Sequence, residues 1–187
     1  MIIKPGRLKG VYEITLQPID DHRGSFTRMY DQMLFREHGL DRDWVHVNRA
    51  VSVKAGTIRG LHFQYEPYAE TKLVRVSRGA VVDVFVDVRA GSPTFGCWDQ
   101  MLLTEDNNKM VFIDKGFAHG YCTLTDDCEV VYTTDRPFSP EHEGGVLWSD
   151  RELKIPWPAE TPIVSGKDRR LPTLEAYKNK LHRKRRG

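Results

Sequence analysis

An all-β double-sheet roll with short flanking helices and a C-terminal extension is the architecture this sequence predicts. Three observations point to it: stretches of clean period-two alternation, turn-forming clusters about every ten residues, and little helical periodicity. In chain order, residues 11–16 form the first β-rich piece. A short helix follows over residues 32–38, with Asp31 as N-cap and Gly39 as its stop. Residues 73–77 and 82–89 read as strands. The second is the clearest, Val-Asp-Val-Phe-Val-Asp-Val-Arg, with four valines on one face and Asp83, Phe85, Asp87 and Arg89 on the other. Residues 99–103, 109–113 and 129–134 continue the series between Gly, Pro, Asp and Asn clusters. The proline-rich stretch 155–162 reads as an irregular segment over the surface, and a second helix, capped by Thr173, covers residues 174–181. Rolls of this kind hold their ligands in the mouth of the barrel.

The chain has 187 residues, enough for one domain with a real core. That domain is expected over residues 1–177, with 178–187 as a basic, disordered tail. No apolar run reaches the ~20 residues of a membrane helix, and the N-terminal residues lack a secretory pattern, so the cytoplasm is expected and no membrane partner. Six of the 28 basic residues fall in 178–187, which leaves 22 against 26 acidic ones, a net −4, over the rest. A mildly acidic body argues against a nucleic-acid surface. Cys97, Cys122 and Cys128 are an odd number without metal-ligand spacing and read as free thiols. With no glycine-rich dinucleotide fingerprint and no phosphate-binding loop, the chemistry falls to side chains alone or to a single metal ion.

Several residues are candidates for that chemistry. In residues 57–64, His62 and Gln64 share one face of an extended segment and Arg59 lies on the other face or in the preceding turn. A histidine so placed is a candidate base, although a lone strand histidine is more often structural. Lys72 is in phase with Val74 and Val76, so if the valines face the core the ammonium does too, and it must then find an anion. His119 follows a glycine turn, Tyr132 sits in a strand, Asp168 closes Ser165-Gly-Lys-Asp, and Asp83 between valines needs a partner if buried.

Order and spacing say more than any of these alone. Arg59-Gly-Leu-His62, Lys72-Leu-Val-Arg-Val, Ser92-Pro-Thr-Phe-Gly, Gly116-Phe-Ala-His119-Gly, Tyr132, Pro140-Glu-His-Glu and Ser165-Gly-Lys-Asp168 follow one another as in a known family. Over roughly residues 8–175 the chain resembles the dTDP-4-dehydrorhamnose 3,5-epimerases. The resemblance implies a metal-free cupin jelly roll without cofactor, a homodimer, acting on a dTDP-4-keto-6-deoxyhexose. It implies His62 as the base oriented by Asp168, Tyr132 as the group that reprotonates the opposite face, and Lys72 as the stabiliser of the enolate oxygen. Arg23 and Phe26 would meet the nucleotide, with Asn48 and Gln64 nearby, Arg59 and His119 the diphosphate and sugar, and Phe138 and Asp83 would complete the binding set. The chain departs from the family pattern at Arg28, His46, Ala50, Glu70, Thr133 and Phe138. These positions bear on which nucleotide sugar is taken and whether C3, C5 or both are inverted, not on the proton-transfer set.

Two other readings compete. A metal-dependent cupin oxygenase or isomerase would use His62, Gln64, Glu70 and His119 as ligands, although Gln64 stands where such proteins carry a second histidine. A noncatalytic nucleotide-sugar binding protein would keep Arg23 and Arg59 but has no use for His62, Lys72, Tyr132 and Asp168 together.

Overall fold

A computed structural model of the chain describes residues 1–184. Its elements are β1 (Ile2–Pro5), β2 (Val11–Thr15), β3 (Ile19–Asp21), β4 (Gly24–Phe26), α1 (Gln32–Glu37), β5 (His46–Ser52), β6 (Thr57–Gln64), β7 (Lys72–Arg78), β8 (Ala80–Asp87), β9 (Trp98–Thr104), β10 (Lys109–Ile113), β11 (Phe117–Thr123), β12 (Cys128–Thr134), β13 (Glu143–Gly145), β14 (Ile163–Val164) and α2 (Leu174–Lys184). One sheet runs β1-β2-β10-β7-β12-β5 and the other β13-β6-β11-β8-β9, with β14 alongside β6. The β3–β4 hairpin stands apart from both. All pairings are antiparallel except β14 with β6, and the whole is an all-β, cupin-like jelly roll.

Alternation fixes which side chains fill the space between the sheets. Val74, Val76, Val111, Ile113 and Val130 of the first sheet meet Val81, Phe85, Leu103 and Phe117 of the second. Strand β8 differs from a half-buried strand because it is covered on both sides. Phe85 enters this core, whereas Val84, Val86 and Val88 lie under Leu153, Leu174 and Tyr177 of the C-terminal extension. A near-continuous apolar run is what a doubly covered strand requires.

Both helices have the expected caps. The Asp31 side chain accepts the Leu34 N–H at 3.3 Å, and Phe35 buries completely against Ile14, Leu73 and Phe112. Thr173 Oγ1 accepts the Ala176 N–H at 3.2 Å, and Tyr177 sends its hydroxyl to the Val88 carbonyl at 3.2 Å. Helix α2 continues to Lys184, so residues 178–184, expected as disordered tail, are helical. Lys is a good helix former, and cations at a helix C-terminus complement the backbone dipole. The Lys180 ammonium sits 4.7 Å above the Tyr65 ring. Residues 185–187 of the expected tail lie outside the described residues. No described helix is long and apolar enough to cross a membrane.

Two glycines let β6 and β11 approach closely. A Cβ on Gly60, whose φ is +122°, would come within 2.6 Å of the Gly120 Cα, and one on Gly120 would come within 2.6 Å of the Arg59 carbonyl oxygen. The ladder shifts register between His119 and Tyr121, bringing Arg59 opposite Tyr121.

Candidate active site

A cavity of about 780 Å³ lies between the sheets. Its second-sheet wall carries His62 of β6 and His119 of β11, which are direct cross-strand partners. Its first-sheet wall carries Lys72 of β7, Asn48 of β5 and Tyr132 of β12, and Tyr132 is flanked in register by Asn48 and Val74. Lys72 is buried together with Val74 and Val76, as the shared phase predicts.

Asp168 reaches the cavity because β14 pairs with the start of β6, Ile163 beside Thr57 and Val164 beside Ile58, which lays the following turn against β6. Ser165 Oγ accepts the Asp168 backbone N–H at 3.0 Å and shapes that turn. The Asp168 carboxylate then lies 2.8 Å from His62 Nε2 and accepts the Gly60 N–H at 3.3 Å. Burial works against the Asp168 anion, but the hydrogen bond and charge of His62, with the Gly60 N–H, outweigh it and hold the carboxyl below its usual value. With Nε2–H given to the carboxylate, Nδ1 is the nitrogen of His62 left to take up or release a proton, and the side chain is about one-third exposed, at 31%.

A second acid–imidazole pair stands beside the first. His119 Nε2 lies 2.8 Å from Asp83 Oδ2, and Asp83 is completely buried. Burial pushes the Asp83 carboxyl above its usual value, with His119 and Lys72 pulling against it. Asp83 therefore supports His119 from behind and does not line the cavity.

At the far end of β6 a polar knot forms around Glu70. One carboxylate oxygen takes the Lys72 ammonium and the other the Gln64 amide. The two amide hydrogens of Gln64 are shared between Glu70 and the carbonyls of Tyr68 (3.0 Å) and Pro137 (3.1 Å), and its oxygen accepts the Ser139 N–H at 2.6 Å. The ligand set of a metal cupin is thus not brought together: Gln64 is fully engaged, each histidine faces its own carboxylate, and no group of three or more His, Cys, Asp or Glu converges among the described residues.

Two guanidiniums on the cavity wall lack acidic partners. Arg59 donates to Ser52 Oγ at 3.2 Å and to the Val51 carbonyl at 2.9 Å, and Arg136 to the Asp135 carbonyl at 2.7 Å. Neither has a carboxylate within 4.0 Å among the described residues, so both are available to an anion. Burial pushes the Tyr132 phenol above its usual value, and the Glu70 charge adds to this while Arg59 opposes it. Tyr132 is therefore a protonated hydroxyl at neutral pH. Phe138 lines the cavity as an exposed ring.

Arg23 and Phe26, expected at the nucleotide end with Asn48 and Gln64 nearby, do not line the cavity of their own chain. They sit on the β3–β4 hairpin, where Arg23 pairs with Asp21 at 2.6 Å and the Phe26 ring is exposed. A hairpin belonging to neither main sheet has no register to carry it there. Conversely, Tyr121, Arg136 and Lys167 line the cavity without having been singled out. Period two could have found the first two, since Tyr121 follows His119 by two residues and Arg136 follows Tyr132 by four. Lys167 lies in an irregular turn, which carries no periodic signal.

The family model described as dTDP-4-dehydrorhamnose 3,5-epimerase matches residues 5–176. A dTDP-4-dehydrorhamnose 3,5-epimerase from Shigella flexneri is 46% identical over 149 residues, 79% of this chain and 82% of that protein. The crystal structure of the enzyme of that name from Bacillus anthracis, with TDP and PPi bound, has a TM-score of 0.89 at 43% identity and covers 92% of this chain and 98% of its own. The Legionella pneumophila epimerase in complex with dTDP-4-keto-L-rhamnose has a TM-score of 0.88 at 34% identity, with 93% of each chain covered.

Proposed function

The chain belongs to the dTDP-4-dehydrorhamnose 3,5-epimerase family and is an isomerase that epimerises a dTDP-sugar, and from that premise we propose how its residues divide the work. The substrate is a dTDP-4-keto-6-deoxyhexose, dTDP-4-dehydro-6-deoxy-D-glucose going to dTDP-4-dehydro-L-rhamnose, inverted at C3 and C5. The 4-keto group acidifies the C–H bonds on both neighbouring carbons. His62 Nδ1 removes the proton, while Asp168 holds the ring and stabilises the imidazolium that forms. The electron pair moves onto the ketone oxygen, where the Lys72 ammonium stabilises the enolate, a contact often worth ~3–4 kcal/mol of barrier. The Tyr132 hydroxyl then gives its proton to the opposite face of the carbon and recovers one from solvent. Arg59 takes the diphosphate, with His119, Asn48, Gln64 and Phe138 around the sugar and base. No step calls on a cofactor.

The observation that carries this reading is that His62 and Tyr132 line one cavity from facing sheets. A carbon between them has a base on one side and a proton donor on the other, which is what inversion needs. The test is deuterium-exchange NMR with dTDP-4-keto-6-deoxyglucose in D₂O. Solvent deuterium at both C3 and C5 with inversion supports the reading, label at one carbon alone limits the enzyme to that centre, and no label at either carbon refutes it.

The protein acts as a homodimer in the cytoplasm. Support for the dimer comes from β5, a sheet edge that exposes Val47 and Val51 between the exposed flanking Val45 and Val53, a face and edge that a second copy would cover. In that dimer, Arg23 and Phe26 serve the partner's cavity. The three cysteines are free thiols, in line with a reducing compartment.

A further inference from the structure

Lys72 and Glu70 form a largely buried ion pair on the cavity wall, their side chains 10% and 11% exposed. An ammonium withdrawn from water needs an anion, and Glu70 supplies the one carboxylate in contact with Lys72 among the described residues. Of its three N–H groups the ammonium gives one to Glu70. No other protein acceptor holds it among the described residues, so the remaining donors are left for an oxygen in the cavity.

Glu70 is itself fixed from behind. Its second oxygen takes the amide of Gln64, a buried residue at the end of β6. Gln64 cannot turn that amide over, because the Ser139 N–H claims its oxygen and the Tyr68 and Pro137 carbonyls claim its nitrogen. Position 70 must therefore accept twice, from Gln64 on one oxygen and from Lys72 on the other. A carboxylate does so, whereas a neutral amide in the same place would set its NH₂ against one of the two donors. The path runs from three backbone groups through Gln64 and Glu70 to the ammonium, with a hydrogen bond at every step.

We infer that Glu70 is a positioning residue for Lys72: its carboxylate, locked by Gln64, sets the ammonium where the enolate oxygen develops. This rests on the reading that Lys72 stabilises the enolate. A lysine carries its charge on a flexible four-carbon stem, so an untethered ammonium has to be ordered during the reaction itself. Tethered beforehand, it meets the growing negative charge without reorganisation. Glu70 therefore bears on the chemical step. Binding of dTDP, which carries no ketone, does not depend on where the ammonium points.

The test uses the full chain, with turnover of dTDP-4-keto-6-deoxyglucose, dTDP affinity by calorimetry, and thermal melts. Glu70→Gln is expected to lower kcat about ten- to a hundredfold, less than the roughly 10²–10³ expected of Lys72→Gln, which removes the charge itself. Its Kd for dTDP should stay within about threefold of wild type. In the Lys72→Gln background, Glu70→Gln should lower kcat by no more than about twofold further, because no ammonium is left to place. Wild-type kcat in Glu70→Gln overturns the inference, as does full multiplication of the two losses, which would mean that Glu70 acts apart from Lys72. A loss of dTDP affinity as large as the loss of kcat also overturns it, since that marks a collapsed wall and not a displaced cation. If Glu70→Gln melts below the assay temperature, Glu70→Asp takes its place: it keeps the charge but is one methylene too short to span both donors. It should lower kcat at least about threefold with dTDP affinity kept, and wild-type kcat in it overturns the inference. Lys72→Gln separates the two levels: if it lowers kcat while Glu70→Gln does not, only the positioning role fails. If Lys72→Gln turns over at the wild-type rate, the enolate assignment falls and the inference with it.

Discussion

His62 and His119 face each other across the β6–β11 ladder, and each imidazole holds a different carboxylate at 2.8 Å. The two pairs differ in access: the His62 side chain is 31% exposed, the His119 side chain 8%. Asp83 behind His119 is fully buried, with one oxygen unpartnered among the described residues, whereas Asp168 accepts a second N–H from Gly60. The first pair is open at the cavity through its imidazole, and the second is built into the wall.

His62→Ala and His119→Ala should therefore fail in different ways. Loss of the His62 base should lower kcat by about 10²–10⁴ and stop deuterium entry at both carbons, with the melting temperature near wild type. Loss of His119 leaves a buried carboxyl without its partner and should cost about 3–5 kcal/mol in urea denaturation. Wild-type exchange in His62→Ala would show that the base is elsewhere.

Tyr132→Phe keeps the ring in the core and removes only the donor. Proton removal by His62 should continue, so labelled substrate is expected to build up faster than inverted product, reversing the wild-type order. NMR of the quenched mixture reads both. Equal loss of exchange and inversion would make Tyr132 a binding group and not the second proton carrier.

Arg23 and Phe26 lie away from the cavity of their own chain, so an Arg23→Ala chain and a His62→Ala chain should rescue each other. If each site takes His62 from one chain and Arg23 from the other, random mixing leaves one intact site in half the dimers, or roughly a quarter of the wild-type activity. The assay is turnover after mixing by refolding or coexpression. No recovery above either parent would place both residues in service of the same chain.

Acid stability has a separate origin, at Asp87. Burial disfavours its carboxylate, but Arg89, Ser92 and Thr94 all donate to it and bring the carboxyl to about 2. A carboxyl depressed on folding contributes stability that is complete above its unfolded value near 3.8 and is lost as pH falls toward 2. Asp87→Asn should cost about 2 kcal/mol at pH 7, and the gap from wild type should close toward pH 2 in denaturant titrations. A gap independent of pH would assign the cost to lost shape alone.

Much of this arrangement is written in local pattern. Period two placed Lys72 inward with Val74 and Val76, and Asp31 and Thr173 marked both helix starts. What local pattern misses is anything set by distant docking. The valine face of residues 82–89 looks like the lining of a barrel, yet Val84 and Val86 are covered from outside by α2, a helix some ninety residues on. Asp168 reads as a turn former, and only its resemblance to a known motif tied it to His62. Arg23 and Phe26 came from the same motif logic, which records what a site contains and not which chain supplies it. Tyr121 went unnoticed since an aromatic residue two positions from a buried histidine looks like core.

The tie between His62 and Asp168 spans 106 residues of chain. Asp168 follows every strand of both sheets in the chain, so on the proposed mechanism the base is oriented by the last part of the fold to be made. Competence arrives only when the segment bearing β14 and α2 zips onto the finished β6 and β8. The same dependence makes turnover a sensitive gauge of that segment: on the proposed mechanism, peeling it back would silence the enzyme while the first sheet and the order β13-β6-β11-β8-β9 are still intact.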